Sequence, residues 1–322
     1  MAAETLALQS ASAFAADVRH GLTRPGQKEL PSKYFYDELG SKLFEAIGSL
    51  PEYGLTRADQ RLLRRHGHEI AEGLPGDTAV AELGSGSGKK TRGILEAFCR
   101  KRRTWYFPIE ISAGALDLCR RELADLDSLS VTGLEREYLD GLREAVWRRR
   151  TGQRILVLFL GGTIGNFNPP ADLEFLVEVR ATLVPGDALL LGTDLVKPME
   201  RLVAAYDDAL GVTAAFNLNL LARINREMDA DFALEAFEHR ARFDSGTANI
   251  EMRLLSKRAQ WVRVPKAGFS VALAEGETIL TETSHKFTLA EVGRLGAKAG
   301  FQRLAQWVDA DWPFAETLLE AV

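Results

Sequence analysis

The segment Val80-Ala81-Glu82-Leu83-Gly84-Ser85-Gly86-Ser87-Gly88 decides the fold. It reads as a buried strand ending in a turn tight enough to need residues without a Cβ, and KKTRGILEAFCRK then opens a helix. Two well-known phosphate-binding loops fail on position. GxxxxGK[ST] ending at Gly88-Lys89 needs glycine where Leu83 stands, and GxGxxG starting at Gly84 needs glycine where Lys89 stands. What remains is an acid, Glu82, two residues before a GxGxG.

Outward from this loop, residues 58 to 196 alternate helical and strand-like periods. The helix RADQRLLRRHGHEIAEGL precedes the strand TAVAEL. The strand TWYFPIE, the helix AGALDLCRRELADL, the strand ILVLFLG, the helix DLEFLVEVRATL and the strand DALLLGTDL follow. This alternation predicts an α/β fold with a mainly parallel sheet, and the continuous apolar runs ILVLFL and ALLL fit strands covered on both faces. Residues 197 to 285 read differently, with helices around RLVAAYDDAL and TAAFNLNLLARINREM, then strand-like runs FALEAFEHRARF, ANIEMRLLSKRAQWVRV and FSVALA. Asp244-Ser245-Gly246 marks a hairpin turn. Beyond His285, a helix LAEVGRLGAKAG capped at Gly300 and a strand FQRLAQWV are expected to return the chain to the parallel sheet, ahead of an apolar tail, FAETLLEAV. In the first zone, a helix near Ala11 to Leu22 leads to an aromatic stretch in which Tyr34, Tyr36 and Tyr53 are candidates to line a pocket.

Composition narrows the function. The chain has 322 residues, 46% hydrophobic and 26% charged, and 40 Lys plus Arg against 45 Asp plus Glu give a formal charge of -5. No broad positive field is available for a nucleic-acid backbone, so nucleic acid is not the expected partner. The longest apolar run, Ile155 to Leu160, is far short of the roughly eighteen residues a membrane span needs. The N-terminus carries Glu4 where an export signal would be positive, and Cys99 and Cys119 lack CxxC spacing, which suits a reduced cytoplasm. His66 and His68 point away from one another on a helix, and no metal centre is expected. A monomer is expected because no exposed heptad stands out.

The glycine loop resembles the first motif of Rossmann-like methyltransferases that use S-adenosylmethionine, in which the glycines let the methionine part of the cofactor lie against the backbone. Glu110, closing the second strand, stands where such folds bond ribose hydroxyls; the other reading is an acid favoured by the dipole at a helix start. FLGGTIGNF puts Asn166 at the carboxyl end of the sheet, where ligands of open α/β folds collect; a plain turn asparagine is the alternative.

Taken together, LPEYGLTR (50 to 57), ELGSGSGKKTR (82 to 92), FLGGTIGNF (159 to 167), LLLGTDLVK (189 to 197), RLVAAYDDALGVTAAFN (201 to 217) and LTETSHKF (280 to 287) resemble the bacterial histidine Nα-methyltransferases of ergothioneine biosynthesis over essentially the whole chain. The resemblance implies trimethylation of the α-amino group of L-histidine to hercynine, with S-adenosylhomocysteine as coproduct. It implies an S-adenosylmethionine-binding methyltransferase domain of residues 58–196 and 286–322, and an α+β substrate-binding domain of residues 1–57 and 197–285. Residues matching Tyr53, Asn166 and Tyr206 would hold the amino acid head, and those matching Glu282 and Ser284 the imidazole, with Tyr36 and Met252 nearby. For the cofactor the match carries over Gly84, Lys90 and Glu110, with Ser85 and Gly86 giving backbone contact. One departure concerns the adenine. Where the family usually has Asp-Phe after a glycine, this chain reads Gly133-Leu134-Glu135-Arg136-Glu137-Tyr138. Either Glu135 or Glu137 takes over, or a shift of register brings Tyr138 or Leu139 beside the ring.

The chemistry agrees with such a set. Methyl transfer to nitrogen is an in-line displacement that needs alignment and exclusion of water, with no nucleophilic side chain and no dedicated catalytic residue. Imidazole offers two ring nitrogens, which a carboxylate and a hydroxyl can bond. Trimethylation of another amino acid, such as tryptophan, and a binding module that has lost catalysis are the rival readings.

Overall fold

The structure, a computed structural model, describes residues 2–74, 76–100 and 102–322. They fall into two compact units. The smaller joins the residues up to Tyr53 with Pro198–Ser284; the larger joins Gly54–Lys197 with His285–Val322. The boundary expected at 57/58 therefore falls inside a helix.

In chain order, α1 (Ala2–Thr23), β1 (Lys28–Glu29) and α2 (Glu38–Ser49) belong to the smaller unit, and α2 starts where the Asp37 side chain accepts from the Gly40 amide at 2.7 Å. The larger unit begins with α3 (Leu55–Gly73), whose buried face, Leu55, Ala58, Asp59, Leu62, Leu63, Gly67, Ile70 and Ala71, follows the helical period but includes one acid. Next come β2 (Thr78–Leu83), α4 (Arg92–Cys99), β3 (Thr104–Glu110), α5 (Ala113–Glu122), β4 (Leu129–Val131), β5 (Leu134–Glu135), α6 (Tyr138–Arg148), β6 (Arg154–Phe159), α7 (Ala171–Thr182) and β7 (Ala188–Asp194). The smaller unit resumes with α8 (Met199–Tyr206), α9 (Val212–Met228), β8 (Phe237–Asp244), β9 (Asn249–Ser256), β10 (Gln260–Val264), β11 (Phe269–Leu273) and β12 (Thr278–His285). Then α10 (Leu289–Lys298), β13 (Phe301–Val308) and β14 (Phe314–Ala321) complete the larger one.

The larger sheet runs β13-β14-β7-β6-β2-β3-β4, with β5 pairing on β3 beyond β4. Strands β4, β3, β2, β6 and β7 are mutually parallel, and their order reverses between β2 and β6. Alternation divides β2 between two cores. Ala79, Ala81 and Leu83 face α6, α7 and α10, while Val80 faces α3, α4 and α5. One expectation is corrected here. The chain does return to this sheet, but antiparallel, and FAETLLEAV is no tail: it is β14, wedged between β13 and β7, with Ala315 and Leu319 in one core and Leu318 in the other. Buried on both faces, it lacks alternation, and Glu316, Thr317 and Glu320 also break the continuous apolar run by which β6 and β7 read as strands.

In the smaller unit the sheet order is β1-β12-β9-β8, and β10 and β11 form a separate antiparallel pair. Residues 244–249 make the expected hairpin, with the Gly246 amide donating to Asp244 at 2.8 Å. Three expected runs are shorter. FALEAFEHRARF becomes a strand only at Phe237, after a short 3-10 segment, Leu234–Ala236. RLVAAYDDAL ends as a helix at Tyr206, because the Asp208 carboxylate accepts from the Val212 and Thr213 amides (3.0 and 2.7 Å) and so starts α9. ANIEMRLLSKRAQWVRV breaks at Ser256, whose hydroxyl donates to the Arg258 carbonyl and accepts from Gln260.

Candidate active site

In the larger unit, the glycine loop leaves β2 where the strand order reverses, the place at which open α/β sheets leave a crevice. Gly84, Gly86 and Gly88 all have positive φ (75°, 53° and 75°). The space around them differs. A Cβ on Gly88 would lie 2.8 Å from Cys119 Sγ, and one on Gly84 would lie 3.3 Å from the Tyr138 hydroxyl, whereas one on Gly86 would meet nothing within 4 Å. Gly86 therefore presents bare backbone to open space.

The loop amides point inward. Those of Gly84 and Ser85 donate to the Ile109 carbonyl at 2.9 and 3.3 Å, and that of Gly86 donates to Glu110 Oε2 at 3.2 Å. These N–H groups therefore already have acceptors within the chain; the Gly86 backbone surface and the buried Ser85 hydroxyl, which has no hydrogen-bond partner among the described residues, are offered besides. Glu110 also accepts from the Ile111 and Ser112 amides (2.9 and 3.3 Å) at the start of α5, so it serves as the helix-start acid and ties that helix to the loop.

Beyond Gly133, Leu134 is buried in register with Ile109, Glu135 is exposed and pairs with Glu110 across the strands, and Glu137 directly precedes α6. Tyr138 is the residue that meets the loop. Its ring packs against Phe159 and Phe175 (centroids 5.6 and 6.1 Å), and burial, then the Glu110 charge, push its hydroxyl up to about 12. Lys90, just ahead of α4, pairs with Asp59 at 3.0 Å. Burial pulls the Lys90 ammonium down, but Asp59 and Glu82 more than offset it, so the lysine stays charged. Glu82 itself faces inward. It accepts from Thr91 Oγ1 (2.7 and 2.8 Å) and from the Tyr106 hydroxyl, and burial raises it to about 7. Tyr138 is thus one of the alternatives that the sequence offers beside the adenine, and Glu82 the acid of the glycine motif, whereas Asp59 carries no local pattern in the sequence.

Asn166 also belongs to this unit. Gly161 and Gly162, both at positive φ, turn the chain out of β6 into the short 3-10 segment Thr163–Asn166, which ends on the half-buried asparagine.

The remaining candidate residues lie in the smaller unit. Tyr206, the last residue of α8, donates from its hydroxyl to Ser284 Oγ on β12 at 3.1 Å, and its ring meets Tyr53 edge to face (6.1 Å). Phe44 joins Tyr53 to Tyr36. Tyr53, Tyr206, Met252 and Ser284 are buried and Glu282 is half-buried, so Glu282 and Ser284 do not share a solvated face. A residue not anticipated, His239, fixes the backbone of Tyr206. Its Nε2 donates to the Tyr206 carbonyl (2.7 Å), while Nδ1 accepts from Asn217 Nδ2 (2.8 Å), which also donates to the Arg253 carbonyl (3.2 Å). Burial lowers the pKa of this histidine and keeps it neutral.

Comparison with known proteins gives a consistent result. A family model of histidine-specific, S-adenosylmethionine-dependent methyltransferases matches residues 14–321. The chain is 45% identical to a histidine Nα-methyltransferase of Mycolicibacterium smegmatis, over 96% of this chain and 95% of that protein. It is 43% identical to the histidine Nα-methyltransferase of Mycobacterium tuberculosis, over 94% and 93%. An L-tryptophan methyltransferase of Psilocybe serbica is 26% identical over 91% of this chain and 89% of its own length.

Proposed function

Since this chain belongs to the histidine-specific, S-adenosylmethionine-dependent methyltransferases, we infer that it methylates the α-amino nitrogen of L-histidine, three times in succession, giving hercynine for ergothioneine biosynthesis. The observation that carries this is near-full-length identity of 45% and 43% to two histidine Nα-methyltransferases, against 26% for the tryptophan enzyme. Neither rival, another amino acid substrate or a non-catalytic homologue, is favoured.

The cofactor S-adenosylmethionine supplies a methyl group on a sulfonium as the electrophile. The residues of the larger unit suit such a ligand: bare backbone at Gly86, the buried Ser85 hydroxyl without a partner among the described residues, and a charged lysine beside the loop. Lys90 would hold the methionyl carboxylate, and Gly84, Ser85 and Gly86 would line the methionyl part. Glu110 has lone pairs left for the ribose hydroxyls. For the adenine, the position of Tyr138 against Gly84 favours Tyr138 over the exposed Glu135.

On the substrate side, Tyr53 and Tyr206 take the amino acid head, and Asn166 is assigned to it as well. Glu282 accepts an imidazole N–H, while the Ser284 hydroxyl, already joined to Tyr206, turns to serve the other ring nitrogen. Met252 fills the apolar wall. The amine must be neutral to attack, and its proton leaves to solvent or to water held by a tyrosine. A substrate without a matching N–H would forfeit the bond to Glu282, which is how the pocket discriminates. We read the protein as a cytoplasmic monomer acting on a small molecule; among the described residues no helix is long and apolar enough to cross a membrane.

The test is mass spectrometry of the protein incubated with S-adenosylmethionine and each of the twenty amino acids. Gains of one, two and three methyl groups on histidine alone are expected. Trimethylation of a different amino acid sinks the imidazole assignment. Glu282→Ala is expected to abolish histidine turnover while S-adenosylhomocysteine still binds.

A further inference from the structure

Beneath the glycine loop of the larger unit, three carboxyl groups are buried together. Asp59 comes from α3, Glu82 from β2 and Glu316 from β14, and none is more than 1% exposed. Such groups are costly to bury as ions unless each has a partner. Glu82 has two hydroxyl donors, described above. Asp59 receives two donors on a single oxygen: its Oδ2 accepts from the Gly161 amide at 2.9 Å and pairs with Lys90 Nζ at 3.0 Å. Gly161 packs directly on that ammonium, since a Cβ there would lie 3.0 Å from Lys90 Nζ.

Glu316 completes the arrangement. Its oxygens meet no N–H or O–H donor among the described residues, but it faces Asp59. Burial first, and the Asp59 charge second, push Glu316 well above the usual carboxylate range. That direction favours a Glu316 proton held toward Asp59, whose Oδ2 is already taken up by Lys90 and the Gly161 amide.

We propose that Asp59 is a positioning residue of the methyltransferase: one buried carboxylate oxygen holds both the Lys90 ammonium and the Gly161 turn, so that cofactor affinity and the placement of the Asn166 loop are set together. The inference rests on the functional reading above, in which Lys90 meets the cofactor carboxylate and Asn166 the amino acid. Asp59 touches neither ligand in that reading. It acts through Lys90, whose charge it maintains, and through Gly161, five residues before Asn166.

Asp59→Asn keeps the size of the side chain and an acceptor for Gly161 but removes the charge facing Lys90. Titration calorimetry with S-adenosylhomocysteine is expected to show affinity weakened at least tenfold, and steady-state kinetics a raised KM for histidine with a smaller change in kcat. A double-mutant cycle separates this from general damage. If Asp59 acts through Lys90, the Asp59→Asn/Lys90→Gln protein binds S-adenosylhomocysteine no more weakly than Lys90→Gln alone. Unchanged affinity in Asp59→Asn, or additive losses in the double variant, overturns the proposal. Should Asp59→Asn not fold, Lys90→Gln carries the coupling test, because it leaves Asp59 without its cation. The KM for histidine should then rise along with the dissociation constant for S-adenosylhomocysteine, and a change in the latter alone overturns the coupling. Calorimetric binding does not depend on which amino acid is methylated, so failure of the wild-type protein to turn over histidine would count against the substrate reading and leave this one standing.

Discussion

Gly88 shows how little freedom the loop leaves to a single residue. With φ at 75° and the Cys119 sulfur 2.8 Å from any Cβ, alanine would be strained and crowded at once. Gly88→Ala is expected to cost on the order of 2 kcal/mol; an unchanged denaturation midpoint would show that the loop is softer than its geometry. Glu82 makes a prediction about pH. Burial raises it to about 7, above its ordinary value of 4.5, so the folded state holds the proton more tightly than the unfolded one. Its contribution to stability is fully present below 4.5 and is lost as pH rises through about 7. Glu82→Gln keeps an acceptor for Thr91 and Tyr106 but cannot ionise, so it should flatten the decline in melting temperature across that window. An identical slope in the variant would assign the pH dependence elsewhere.

Among the elements, α8, α9 and β8 meet at the Asn217, His239 and Tyr206 chain, where a neutral imidazole joins the end of one helix to a strand. The direction of its titration is opposite to that of Glu82. Because burial holds His239 below its ordinary 6.5, the stability it gives is present above that pH and is lost as pH falls below it. His239→Gln should reduce this acid-side loss and raise the KM for histidine several-fold, with S-adenosylhomocysteine binding unaltered; a loss of cofactor binding would contradict the confinement of its role to Tyr206. Helix α10 carries a reciprocal cap, the Thr288 hydroxyl accepting from the Glu291 amide at 3.2 Å and the Glu291 carboxylate accepting from the Thr288 amide at 2.7 Å. Thr288→Ala should cost about 1 kcal/mol, read as a lower urea midpoint with an unchanged slope.

At the scale of the whole molecule, saturating S-adenosylhomocysteine at about a hundred times its dissociation constant should stabilise the protein by roughly 2.7 kcal/mol. Hydrogen exchange should place the new protection in residues 84–91 and 110–112, and protection confined to the smaller unit would misplace the cofactor. Much of this architecture was legible in the chain. The parallel strands, the glycine loop and the hairpin at 244–246 each carry a local signal, either a period or a turn residue. The short strands β4 and β5 were not read, since runs of two or three strand residues have no period to detect, nor was α6, whose buried face holds only Gly141, Leu142 and Ala145. Asp59 was illegible for another reason: an acid in an arginine-rich helix reads as solvated, and its partners, Lys90, Gly161 and Glu316, lie far along the chain. The substrate residues were found by resemblance, and the Tyr206 to Ser284 bond then gave two of them a shared geometry. Strand β14, seated between β13 and β7, also sets a timetable for synthesis. On the ribosome, β7 emerges more than a hundred residues before its antiparallel neighbour, so the nascent sheet waits with an open hydrogen-bonding edge until residues 314–321 are made. A chain stalled or clipped just short of them would display that edge, and chaperones would meet it there.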